Sequence, residues 1–272
     1  MPARPSPPRL THFLAIPLVT AISRPQLQHS LRKFKDAATQ PNFTSSLPEG
    51  IPDQAIRPLE TLHLTLGVMS LLTLERVAGV LDLLQSLDLE DVLAGVKPAG
   101  EVNRAKDSRT SETKTGGGGQ VSREKTEQRP IFITLQGLHS MHSPVKTSVL
   151  YASPLDPDLR LYRFCTELRE VFKEFLVSES RPLLLHATIV NTIYAKGLRK
   201  EGGSRGGRGG RGGMKKERLE LDAREVVREW ENFTWMESVR VEKVALLKMG
   251  AKVGEGSEEK YEVEGDVDMP ES

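Results

Sequence analysis

Apolar residues recur along this chain with two periods, and the switches between them mark out its elements. Residues 11–19, Thr11-His12-Phe13-Leu14-Ala15-Ile16-Pro17-Leu18-Val19, read as a strand, which Pro17 confines to an edge or ends. Leu27, Leu31, Phe34 and Ala38 then return every three or four residues, giving a helix with one buried stripe. Ser23-Arg24-Pro25-Gln26 supplies its start, a serine cap with an early proline and a glutamine. Residues 39–58 hold Pro41, Pro48, Pro52 and Pro58 and read as a long loop. A strand covers about 61–69, and a helix follows, capped by Thr73 with Glu75 in its first turn and Leu74, Val77, Ala78, Leu81 and Leu84 on its apolar face.

Order resumes at Ile131–Leu135 and at Thr147–Ala152, two strands joined through a turn around Ser143-Pro144. Asp156-Pro157 caps a long helix whose stripe is Leu161, Phe164, Cys165, Leu168, Val171, Phe172 and Phe175. A strand at about 183–190 is followed by a helix from about Asp222, with Ala223, Val226, Val227, Trp230 and Phe233 on one face. The fold is expected to finish in a last strand within residues 238–248.

Four stretches carry no such period. Residues 1–9 form a proline-rich arm, 98–129 a polar insert with Gly116 to Gly119 in a row, 199–217 an Arg-Gly-Gly repeat, and 251–272 an acidic tail; all four are expected to be disordered. Folded residues are therefore expected within 10–250, about one domain's worth.

The formal charge of +1 hides an asymmetry. Nine basic residues lie between Lys196 and Arg218, while eight acidic residues crowd 254–272 against Lys260 alone. A basic internal stretch points to an anionic partner. The single cysteine, Cys165, excludes an intrachain disulfide and fits a reducing compartment. Its place on a helix stripe makes it a small buried hydrophobe rather than a nucleophile. No run approaches the length of a membrane span, and the first ten residues do not read as a secretory signal.

Two of the strands nearly repeat each other. Thr61-Leu62-His63-Leu64-Thr65-Leu66-Gly67 and Leu184-Leu185-His186-Ala187-Thr188-Ile189-Val190 each set His-x-Thr within apolar neighbours. Alternation along a strand puts His63 and Thr65 on one face and Leu62, Leu64 and Leu66 on the other; His186 and Thr188 are opposed in the same way by Leu185, Ala187 and Ile189. A single such histidine is ordinarily a hydrogen-bonded strand residue. Two of matching parity and backing suggest strands contributed symmetrically to one cleft. Paired imidazoles suit general acid–base work on a phosphodiester: one takes a proton from the attacking hydroxyl, the other gives one to the departing oxygen. Thr65 and Thr188 supply short neutral donors for non-bridging oxygens. No carboxylate–histidine cluster with ligand spacing lies near either motif, so neither metal nor cofactor is expected.

These residues resemble the paired H-x-T signature of the two-histidine phosphoesterases. Thr11-His12-Phe13-Leu14-Ala15, Leu150-Tyr151-Ala152, Asn191-Thr192 and Glu231-Asn232-Phe233 narrow the resemblance to the A-kinase-anchor-protein nuclear-localisation-signal-like group, in which the first subunit of the activating signal cointegrator complex has its C-terminal domain. The resemblance runs from about Thr11 to Gly250. It implies an α+β fold, bilobal and LigT-like, with antiparallel sheets around a central groove. It implies His63 and His186 as catalytic, Thr65 and Thr188 as phosphate-binding, and RNA-type phosphodiesters or cyclic-phosphate ends as substrates. Arg205, Arg208 and Arg211 of the repeat are the expected nucleic-acid contacts. A nuclear multi-protein complex as partner, nuclear or cytoplasmic residence and a monomeric state complete the expectation. A non-catalytic RNA-binding or scaffolding subunit is the alternative. His139 and His142 are read as a solvated hairpin rather than a metal site, and Tyr151 and Tyr194 as packing residues.

Overall fold

A computed structural model describes residues 8–96, 130–178, 182–195, 219–254 and 258–270. The chain forms β1 (His12–Pro17), α1 (Ser23–Ala38), β2 (His63–Met69), α2 (Leu74–Gln85), α3 (Leu89–Gly95), β3 (Phe132–Ser140), β4 (Val149–Pro154), α4 (Arg160–Val171), β5 (Ala187–Asn191), α5 (Arg224–Glu229), β6 (Thr234–Arg240), β7 (Lys243–Lys248), β8 (Lys252–Val253), β9 (Glu259–Lys260) and β10 (Val263–Asp268). Two four-stranded sheets, ordered β10-β7-β1-β2 and β5-β4-β3-β6, give the molecule two lobes. Each named pairing in them is antiparallel. This is the expected α+β, bilobal architecture.

Each motif strand lies at a sheet edge, β2 beside β1 and β5 beside β4, and the two edges touch. The segment ahead of each crosses to the other lobe. Ile56 bridges to Val190 of β5, and Arg57 N–H donates to Ile189 O at 2.8 Å. Leu176 bridges to Met69 of β2, and Val177 N–H donates to Val68 O at 2.8 Å. So the unit β1-α1-β2 repeats as β4-α4-β5, and each motif edge is closed by the chain that leads into the other motif. The helices cross as well: α1 packs on β6, where Phe34 meets Trp235 edge-on, and α4 lies against β2. One continuous core therefore runs through both lobes, from Leu14, Ile16, Leu64 and Leu66 to Leu150, Ala187, Ile189 and Trp235. Gly67 lets the lobes close here, since a Cβ at this position would lie 2.6 Å from the Leu176 side chain.

Several local expectations change. Thr73 caps α2 and the Asp156 carboxylate caps α4, as read from the sequence. At α1, however, Thr20 Oγ1 accepts the Ser23 N–H, while Ser23 itself is buried and donates to Leu18 O at 2.6 Å. The helix expected from Asp222 ends at Glu229, because Thr234-Trp235 turns into β6 and buries the Trp235 indole. The single last strand is thus two, β6 and β7.

The acidic tail is the largest correction. Residues 251–272 were expected to be disordered, yet β10 adds a fourth strand to the first lobe. Its acidic residues meet lysines: Asp266 pairs with Lys243 at 2.9 Å, Glu264 with Lys248 at 2.7 Å, and Glu262 with Lys252 at 2.6 Å. Val267 packs against the core, and Gly265 faces Leu81 of α2. Read by charge content, the segment is a solvated tail; read against the basic strand it borders, it is an edge strand. The insert at 98–129 and the repeat at 199–217 lie outside the described residues.

Candidate active site

The β2 pleat buries Leu64 and Leu66 completely and leaves His63 and Thr65 half-buried in the groove. At the second motif, His186 stands just ahead of β5, Ala187 and Ile189 are buried, and Thr188 is half-buried on the groove side. Both motifs therefore keep the parity read from the sequence.

Each histidine is held by the same local bond. His63 Nδ1–H donates to the Thr61 carbonyl at 2.7 Å, and His186 Nδ1–H donates to the Leu184 carbonyl at 2.8 Å. A carbonyl can only accept, so the proton of each neutral ring sits on Nδ1. Nε2 is left as the basic atom. At His63 it lies 3.0 Å from Thr65 Oγ1, whose hydroxyl donates to it. In both cases the accepting carbonyl is two residues upstream.

The ring neighbours are also related. Phe13 of β1 packs on His63 with centroids 4.8 Å apart, and Tyr151 of β4 packs on His186 at 5.3 Å. Phe13 belongs to a small apolar patch with Ala15, Ala245 and Leu247. His139 lies behind Tyr151 at 5.5 Å. It is thus a strand residue of β3, while His142 is exposed beyond the strand.

Electrostatics separate the two motifs. Burial lowers His63 to about 4, opposed by the Thr61 carbonyl and reinforced by positive charge at His186 and Arg57. His63 is therefore neutral at pH 7 and free to accept a proton. Among the described residues, no three His, Cys, Asp or Glu side chains gather to hold a metal ion. Cys165 is fully buried, and burial pushes its thiol up, away from nucleophile chemistry.

Two neighbours were not read from the sequence. Tyr261, from the supposed tail, sets its ring perpendicular to His63 at 5.2 Å. Arg57 is buried among the prolines of the expected loop, with its guanidinium 3.9 Å from the Tyr194 ring centroid. The available signal for Arg57 was one cation inside an otherwise apolar stretch, Ile51 to Leu59, broken by Asp53 and Gln54. Tyr261 gave none beyond being an aromatic amid acids. Arg205, Arg208 and Arg211 lie outside the described residues. Among the described residues, no helix is long and apolar enough to cross a membrane.

Residues 10–269 match the model of the AKAP7 2′5′ RNA ligase-like domain. Subunit 1 of the activating signal cointegrator 1 complex from Mus musculus is 23% identical over 228 residues, covering 82% of this chain and 54% of the mouse protein. The chain thus spans about half the length of that relative. An uncharacterised protein of Schizosaccharomyces pombe is 24% identical over 253 residues, covering 92% of this chain and 91% of its own. Among solved structures, E. coli LigT complexed with 3′-AMP aligns with a TM-score of 0.47 at 12% identity, covering 96% of this chain and 99% of LigT. The complex of LigT with NADP+ aligns at 0.46 and 13%, covering 97% and 100%. With a family match over nearly its whole length, the chain belongs to the AKAP7 2′5′ RNA ligase-like domain family, and with it to the two-histidine phosphoesterases.

Proposed function

We propose that this protein is a metal-independent phosphodiesterase acting on RNA-type phosphodiesters or cyclic-phosphate ends. The observation that carries the reading is the matched pair of histidines, each tied through Nδ1 to the backbone carbonyl two residues upstream and left with Nε2 as the reactive atom. In this scheme the substrate phosphate lies between the two motif strands. Neutral His63 takes the proton of a water as its oxygen attacks phosphorus. The bond from phosphorus to the departing ribose oxygen breaks, and protonated His186 gives that oxygen its proton. Thr65 turns its hydroxyl from His63 to one non-bridging oxygen, and Thr188 donates to another, opposing the charge that builds on the phosphoryl group. A second turnover begins once the two histidines have exchanged protons with solvent.

Substrate contact beyond the groove is assigned to Arg205, Arg208 and Arg211, whose guanidinium groups suit sequence-tolerant binding of an RNA strand. The mouse relative is named as a subunit of a complex, and a nuclear or cytoplasmic multi-protein assembly is the corresponding proposal for this chain.

The test is hydrolysis, with chelator present, of short RNAs ending in 2′,3′-cyclic phosphate or carrying 2′–5′ or 3′–5′ linkages. Turnover of at least one linkage, lost in both His63→Ala and His186→Ala, is the expected result. Wild-type protein that binds these RNAs but turns over none would move the chain to a binding subunit.

A further inference from the structure

A second concavity adjoins the histidine groove. It is a cavity of about 540 Å³ between α1, the 53–59 segment and the turn that ends at Tyr194. That volume suits one nucleotide-sized ligand. Leu31, Ile56 and Leu59 give it apolar walls, and Gln28, Gln54 and Arg32 place exposed polar groups around them.

Its most deeply placed charge is Arg57, whose side chain is 4% exposed. A guanidinium keeps its proton and presents five N–H donors. Here the nearest carboxylate, Glu259, stands 4.0 Å from Nη1, and Nη2 has no hydrogen-bond partner. Lys35, by contrast, is already matched by Asp53 at 2.7 Å. A buried cation with an open donor is unfavourable until an anion completes it. Tyr194 fixes the plane of the guanidinium by stacking on it. Tyr261 links this cavity to the catalytic groove, because its hydroxyl faces Arg57 and Tyr194 while its ring packs on His63.

We infer that the cavity is a nucleotide subsite, in which Arg57 takes the phosphate next to the scissile linkage and the surrounding walls take that nucleotide's sugar and base. The inference rests on the groove being the hydrolytic site. Its consequence is a preference for ends that carry a second phosphate over bare cyclic mononucleotides.

The experiment is calorimetric titration, with chelator, of adenosine 3′,5′-bisphosphate against 3′-AMP and 5′-AMP. It is paired with hydrolysis of adenosine 2′,3′-cyclic phosphate with and without a 5′-phosphate. Wild type is expected to bind the bisphosphate about tenfold more tightly than either monophosphate. Arg57→Gln should bring that ratio to about one. Because Arg57 is buried, Arg32→Ala and Gln54→Ala on the exposed wall serve as second variants and should lower the ratio with unchanged Tm. Equal affinities in wild type, or a ratio that survives in a folded Arg57→Gln variant, would overturn the subsite. The preference persisting without hydrolysis of any linkage would support the subsite and remove the catalytic reading instead. Hydrolysis without the preference would remove the subsite alone.

Discussion

At the scale of single residues, what separates the two histidines is surroundings rather than motif. Each has the same Nδ1 anchor, yet His63 is set more deeply, between Phe13, Tyr261 and Thr65. Burial holds His63 near 4, so charging it works against the folded state. The unfolded histidine protonates near 6.5, the folded one near 4, and above 6.5 both are neutral. His63 therefore costs stability progressively as pH falls from about 6.5 towards 4. Thermal denaturation across this range should show a smaller acid-side loss in His63→Phe than in wild type. Thr65→Val tests the neighbouring hydroxyl: it should cut turnover by about tenfold to a hundredfold through loss of a transition-state donor, with KM nearly unchanged. A rise in KM alone would make Thr65 a binding group only. The motif residues were legible because strand parity is visible in sequence. The burial difference between them was not, because Tyr261 reaches His63 from a segment nearly two hundred residues away.

At the scale of elements, the site depends on closing two sheet edges against each other. Each motif strand would otherwise expose a row of unpaired backbone groups. The crossing segments at Ile56-Arg57 and Leu176-Val177 satisfy part of each row. Gly67 is the tightest point of that closure, as any side chain there must displace Leu176. Gly67→Val should therefore destabilise the fold by about 1–3 kcal/mol through overpacking, read as a lowered midpoint in urea. An unchanged midpoint would mean that the 176–177 segment is free to move off β2. Strands and helices with clear periodicity were readable in advance, including the caps at Thr73 and Asp156. The crossing segments were not, since Ile56-Arg57 lies in proline-rich sequence without a period, Leu176-Val177 follows directly on an apolar helix stripe, and the partners of both are in the other lobe.

At the scale of the whole molecule, the acidic stretch near the C-terminus has a structural use. The acidic tail becomes β10 because its carboxylates lie along Lys243, Lys248 and Lys252. These pairs are partly exposed and individually weak, so the strand's hold also depends on its ladder with β7 and on Val267. Truncation after residue 250 should lower Tm by several degrees and remove Tyr261 from His63. A truncated protein with wild-type Tm and activity would return the tail to the status first read from its composition. The basic repeat makes a different claim. Replacing Arg205, Arg208 and Arg211 with glutamine should weaken single-stranded RNA binding and reduce the slope of log K against log salt by about 2. An unaltered slope would leave the repeat as a spacer. Composition alone could not separate these two charged stretches; only the neighbours of the acidic one show what it does.

The measurement closest to the central claim is the pH dependence of single-turnover hydrolysis, with chelator present, for wild type, His63→Ala and His186→Ala on the linkage that wild type cleaves fastest. The account predicts a bell-shaped profile in wild type, since one histidine must be neutral and the other protonated, with an acid limb near 4 as His63 protonates. His63→Ala should lose the acid limb and His186→Ala the alkaline one, each at a rate reduced by about a hundredfold or more. A flat wild-type profile, or variants that keep both limbs and the wild-type rate, would contradict it.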